Sequence, residues 1–143
     1  MTTNGFKSPL LVERDMSEEH RWILKAPLIY KTGDTCIIVK KDFDFDFASS
    51  PQLPVIAWLY PKSGTNMDRA AALHDALYVG EIYPRDKCDA LFLEAMQADG
   101  VSYAKRYVAY WTVRALGGLV WLRHDPLEII SYKYFVKVEK CRK

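Results

Sequence analysis

The segment from Asp68 to Met96 constrains this chain most. Asp68 is a plausible N-cap, and Ala70, Ala71, Leu73, His74, Leu77 and Tyr78 follow at helical spacing. Gly80 and Pro84 mark a break, and a second helix runs from about Arg85 to Asp99, with Leu91, Phe92, Ala95 and Met96 inward and Gly100 after it. A link this short forces the two helices to pack antiparallel. His74 then sits a little over one turn before the reversal and Asp89 about one turn after it, so the two fall at one level. Asp75 points about 100° away from its neighbour.

The first third reads as strands. Trp22–Leu24 and Leu28–Tyr30 precede the turn signal Lys31-Thr32-Gly33-Asp34, and Thr35–Val39 follows, which predicts a β-hairpin. Phe43-Asp44-Phe45-Asp46-Phe47 alternates strictly and puts the Phe on one strand face and the Asp on the other. A third helix, capped by Ser102, is expected to bury an aromatic stripe (Tyr103, Tyr107, Tyr110, Trp111) with Val113 and Leu116, and to stop at Gly117-Gly118. Ile130, Tyr132, Tyr134, Val136 and Val138 alternate, so the tail is expected to return as a strand over 127–139. These elements make one α+β domain over 1–143: strands over 1–50, a helical core over 68–118, and a small antiparallel sheet packed on about three helices.

Composition excludes more than it selects. A net charge of +2 supplies no concentrated basic patch, so no nucleic-acid partner is expected, and the basic C-terminal residues read as a solvated tail. Cys36, Cys88 and Cys141 are odd in number and far apart, which argues against a disulfide framework or a structural zinc site and for a reduced compartment. Met1 to Pro9 lacks a signal-peptide pattern, and no apolar run is long enough to span a bilayer.

The chemistry open to the helix pair is specific. A carboxylate on one imidazole nitrogen fixes the tautomer and leaves the other to take a proton from water. Asp75 offers an anionic oxygen to a hard cation, and Asp46 can add a second. The same residues admit a bland reading, in which His74 only bridges, Asp75 pairs with Arg69 or Lys87, and Asp89 pairs with Arg85 at i, i+4. Ala70, Ala71, Ala72 and Ala76 favour a site, since small residues allow close approach. A metal-dependent phosphohydrolase is a weaker option, because only His20 and His124 remain to complete it. Cys88 as a nucleophile is weaker still.

Asp68-Arg69-Ala70-Ala71-Ala72-Leu73-His74-Asp75-Ala76-Leu77-Tyr78, followed by Cys88-Asp89-Ala90-Leu91-Phe92, resembles the core of the phospholipase A2 superfamily, most closely its compact versions. The resemblance covers about 30 residues. It implies His74 as the base that activates water, Asp89 as its orienting carboxylate, Tyr78 in support, and Asp75 as a calcium ligand. The Gly-rich calcium loop of that superfamily is not matched, since Tyr60–Asn66 holds a single Gly. Over its length the chain resembles the uncharacterised phage and prophage family DUF1353, on Asp46-Phe47-Ala48-Ser49-Ser50-Pro51, Ala71–Tyr78, Asp89, Phe92, Met96, Gly100 and Gly117-Gly118. That likeness implies a viral or prophage origin, in the host cytoplasm or the virion. Two functions are therefore expected in competition. One is calcium-dependent hydrolysis of phospholipid in a host envelope, with Trp58, Leu59 and Tyr60 as candidate lipid-facing residues. The other is a non-catalytic component of a phage particle, tail-associated and in contact with other virion proteins or with further copies of itself.

Overall fold

The computed structural model describes residues 3–14, 16, 21–46 and 66–142; the side chains of Arg21, Asp46 and Val120 are outside that description. The Phe47–Thr65 stretch, with Trp58, Leu59, Tyr60 and most of the expected calcium loop, lies outside the described residues, as does His20.

The expected hairpin forms. Strands β4 (Leu28–Thr32) and β5 (Thr35–Val39) pair antiparallel around Gly33, whose φ of 57° explains why glycine stands in the turn. Period-2 alternation sends Leu28, Tyr30, Ile37 and Val39 into the core. Strand β1 (Gly5–Phe6) pairs with β4, and β7 (Val136–Lys140) pairs with β5, giving a four-stranded sheet ordered β1-β4-β5-β7. A second sheet is ordered β2-β3-β6, from Val12–Arg14, Arg21–Leu24 and Asp44–Asp46. Phe43 and Phe45 are buried and stacked, as the alternation requires, while Phe47 lies outside the described residues.

Four helices are described: α1 (Asp68–Val79), α2 (Arg85–Ala98), α3 (Tyr103–Leu122) and α4 (Pro126–Phe135). The class is α+β, with two small antiparallel sheets. Asp68 is the first helical residue of α1 and not its cap; there its charge complements the helix N-terminus. Arg69 reaches from α1 to the Asp99 carboxylate at the far end of α2 and to the Ser8 carbonyl.

The end of α1 is a Schellman turn. Ile82 N–H donates to the Leu77 carbonyl at 3.1 Å and Glu81 N–H to that of Tyr78 at 3.2 Å. The left-handed residue is Glu81, at φ 47°, and not Gly80. Gly80 serves packing instead, because a Cβ there would meet the Ala76 carbonyl at 2.9 Å and Tyr132 of α4 at 3.3 Å.

Three expectations about the last third are corrected. α3 runs through Gly117-Gly118 to Leu122, and it is Gly117 that leaves room for Tyr78 of α1 and Arg85 of α2. Tyr103 and Trp111 are not core: they are 69% and 63% exposed, on the side of α3 turned from the other helices. The tail strand over 127–139 is largely helix. Asp125 accepts from Leu127 N–H at 2.8 Å, Pro126 opens the first turn, and strand geometry begins only at Val136. The alternation of Ile130, Tyr132 and Tyr134 was a weaker signal than this cap.

The expectation that all cysteines stay reduced is also corrected. Pairing β7 on β5 sets Glu139 opposite Cys36, and the Cys141 N–H continues the ladder to the Asp34 carbonyl. Cys36 and Cys141 are thereby 5.0 Å apart at Cα and disulfide-bonded across a separation of 105 residues. Only Cys88 is free. Closing so long a loop restricts the unfolded chain, an effect of about 2–4 kcal/mol. Reduction, or the Cys36→Ser/Cys141→Ser double variant, is expected to lower unfolding stability by that amount in urea titrations.

Candidate functional site

His74 and Asp89 meet as the helix reversal requires. His74 Nε2 lies 2.8 Å from Asp89 Oδ1. The imidazole is 14% exposed and the carboxylate fully buried. Two rings pack on His74: Tyr78, one turn on, stacks at 5.1 Å, and Phe92, across the hairpin, meets it tilted at 4.6 Å. Among the described residues no hydrogen-bond partner reaches Nδ1.

The other Asp89 oxygen is taken from a third helix. Arg114 Nη1 of α3 donates to Oδ2 at 2.9 Å, and Arg85 Nη1 stands 3.8 Å from the same atom. Arg85 also donates to the Val113 and Arg114 carbonyls of α3, at 3.3 and 3.2 Å. A buried carboxylate left alone costs several kcal/mol, so His74 and the two arginines together make its burial tolerable. The sequence reading weighed Arg85 but missed Arg114. Its only signal is a cation in phase with Gly117 on one face of α3, legible once that helix is known to pass the glycines.

Tyr78 does not reach Asp89. Its hydroxyl donates to the Gly117 carbonyl, and burial, then the nearby Asp89 charge, push the phenol up to about 12. Its support of the pair runs through the stack on His74 and through its contact with Arg85, which stands beside Asp89. The Tyr78 ring also meets Trp121 and His124 edge-on, and His124 Nδ1 lies 3.2 Å from Glu81 Oε1. His124 is thus committed to a second carboxylate, away from the first.

Asp75 is buried, at 5% exposure, on another face of α1. Asp46 is placed only by its backbone, opposite Arg21 in the second sheet. Calcium takes six to eight oxygen ligands. Among the described residues no group of three or more His, Cys, Asp or Glu side chains gathers that could hold a metal. Cys88 donates to the Leu77 carbonyl, and burial pushes its thiol up to about 12, which disqualifies it as a nucleophile at neutral pH.

A family model described as a protein of unknown function, DUF1353, matches residues 22–113. The chain belongs to this family. No curated protein and no solved structure matches it. The DUF1353 match spans β3 to most of α3 and contains His74, Asp75, Tyr78 and Asp89; it ends one residue before Arg114.

The two glycines of α3 give a paired test. A Cβ on Gly117 would meet the Tyr78 hydroxyl at 2.8 Å, whereas one on Gly118 meets nothing nearer than Arg85 at 3.9 Å. Tyr78 is locked in the core and cannot yield. Gly117→Ala is expected to destabilise by about 1–3 kcal/mol despite its better helix propensity. Gly118→Ala is expected to be neutral or to stabilise by up to about 1 kcal/mol. Thermal unfolding of the two variants checks the contrast. Native Cys88 is expected to resist iodoacetamide at pH 8 and to react once the protein is unfolded, as mass spectrometry would show.

Proposed function

We propose that this DUF1353 protein is a phospholipase A2-like ester hydrolase of phage or prophage origin, with His74 as general base. The observation that carries this reading is one imidazole with two distinct ends. Nε2 is fixed on a buried carboxylate, while Nδ1 has no partner among the described residues. With the proton on Nε2 donated to Asp89, the Nδ1 lone pair would take a proton from water as that water attacks the ester carbonyl, and would return it to the alcohol oxygen as the ester C–O bond breaks. Asp89 holds the tautomer and offsets the positive charge that develops on the ring. Arg114 and Arg85 hold the carboxylate in place from its other oxygen. Phe92 and Tyr78 fix the plane of the ring, so that the proton is taken along one direction.

Phospholipid is the substrate class that the sequence resemblance supplies. Calcium on Asp75, with Asp46 as a further ligand, belongs to the same resemblance; no step here depends on it.

The second reading is a non-catalytic virion component, tail-associated and bound to other phage proteins. What favours it is the Arg114–Asp89–His74 chain itself, which ties three helices together and needs no substrate to explain it.

Hydrolysis of phospholipid vesicles, followed by fatty-acid release with millimolar calcium and again with chelator, separates the readings. A general base contributes about 10²–10⁴ in rate, so His74→Ala is expected to lose at least about 100-fold while remaining folded. Asp89→Asn should lose rate and stability together. The resemblance further implies that any stimulation by calcium is lost in Asp75→Asn. A folded protein inert in both buffers, or full activity in His74→Ala, sinks the esterase. Particle assembly then becomes the property to measure.

A further inference from the structure

The outer side of α3 carries Ala104, Val108, Trp111, Ala115, Leu119 and Leu122, all exposed and spaced by three or four residues. Val108, Trp111, Leu119 and Leu122 are 42%, 63%, 66% and 81% exposed. They form an apolar stripe along a 20-residue helix, a length of about 30 Å. The inner side is already used, by Ala109, Val113, Arg114 and Gly117. α4 adds a second exposed row at i, i+3, i+7, namely Leu127, Ile130 and Tyr134.

Charge decides what this face fits. From Tyr103 to Lys143 the chain has nine basic and three acidic residues, whereas the first 102 residues have eleven and fifteen. α3 itself has no acidic residue. Two of the three acids in the C-terminal third are occupied, Asp125 in capping α4 and Glu139 on Lys137. Lys105, Arg123, Lys133, Lys140 and Arg142 are exposed cations. A second copy laid on the stripe would bring Lys105 and Arg123 of both chains to one seam with no carboxylate of α3 to answer them. An apolar face with tryptophan, edged by lysine and arginine, is the composition of a helix that lies on an anionic bilayer.

We propose that the outer face of α3 docks this protein on the surface of an anionic phospholipid membrane. Docking deepens the esterase reading and rests on it, since it brings the protein to the surface where its substrate lies. No helix among the described residues is long and apolar enough to cross a membrane. The outer face of α3 lies on lipid while its inner face keeps Arg114 on Asp89.

The test is co-sedimentation of the full chain with vesicles of phosphatidylglycerol and phosphatidylcholine in equal parts, and of phosphatidylcholine alone. The mixed vesicles are expected to bind at least tenfold more protein at low salt, and most of that excess should be lost in 0.5 M salt. Leu119→Glu/Leu122→Glu, both exposed and outside the site, should lower binding at least tenfold with unchanged circular dichroism and unchanged turnover of a soluble short-chain ester. His74→Ala should bind as the parent does, which separates docking from catalysis. Equal binding to both vesicles, or undiminished binding of the double variant, overturns the proposal, even if hydrolysis is found. A dimer in sedimentation equilibrium that the double variant splits assigns the stripe to a second copy and overturns it equally. Binding as expected without hydrolysis upholds docking and removes the esterase.

Discussion

The structure depends on how one carboxylate is kept out of water. Asp89 has no exposure, and its two oxygens are answered by His74 from α1, Arg85 from its own helix and Arg114 from α3. Apolar burial supplies most of the driving force, about 1.5–3 kcal/mol for each fully buried side chain such as Leu73, Leu77 or Phe92. Yet apolar contacts tolerate sliding by a turn, whereas a buried charge tolerates only the arrangement that pairs it. The carboxylate therefore sets the relative positions of three helices. The small residues follow from it: Ala72 and Ala76 on α1, and Gly117 where α3 passes over Tyr78, let backbones approach closely enough for short polar contacts.

Structural tie and general base are the same atoms under two descriptions. A histidine clamped by two rings and one carboxylate rigidifies a helix hairpin whether or not it takes a proton. Pre-organisation of that kind is also what a base needs, since a wandering imidazole spends little time aligned with water. What distinguishes the two roles is the second ring nitrogen, which the fold does not require and which chemistry does.

The sequence made the local features legible. The β4–β5 turn, the buried Phe43 and Phe45, and the meeting of His74 with Asp89 follow from short-range periodicity and from the length of one link. What it hid is long-range or two-valued. Arg114 joins Asp89 from 25 residues away, and nothing local to either residue announces the other. The glycines of α3 look like a stop until the Tyr78 and Arg85 side chains facing them are known. Ile130, Tyr132 and Tyr134 alternate like a strand, but Asp125 and Pro126 start a helix that buries only Tyr132 of these three. The aromatic stripe on α3 was read as buried because aromatic residues usually are; exposure on its outer side belongs to the whole molecule and not to the periodicity. The odd cysteine count concealed a real pair, because parity says nothing about which two meet.

The bond between Cys36 and Cys141 closes a covalent ring that contains every residue of the His74 network, with Arg114 and the helix it rides on. Such topology changes what a cut means. A single backbone scission anywhere within the ring opens it without releasing a fragment, and the severed halves stay concentrated against each other. Endurance under attack by peptidases is then governed by the thiol–disulfide balance of the surroundings as much as by packing.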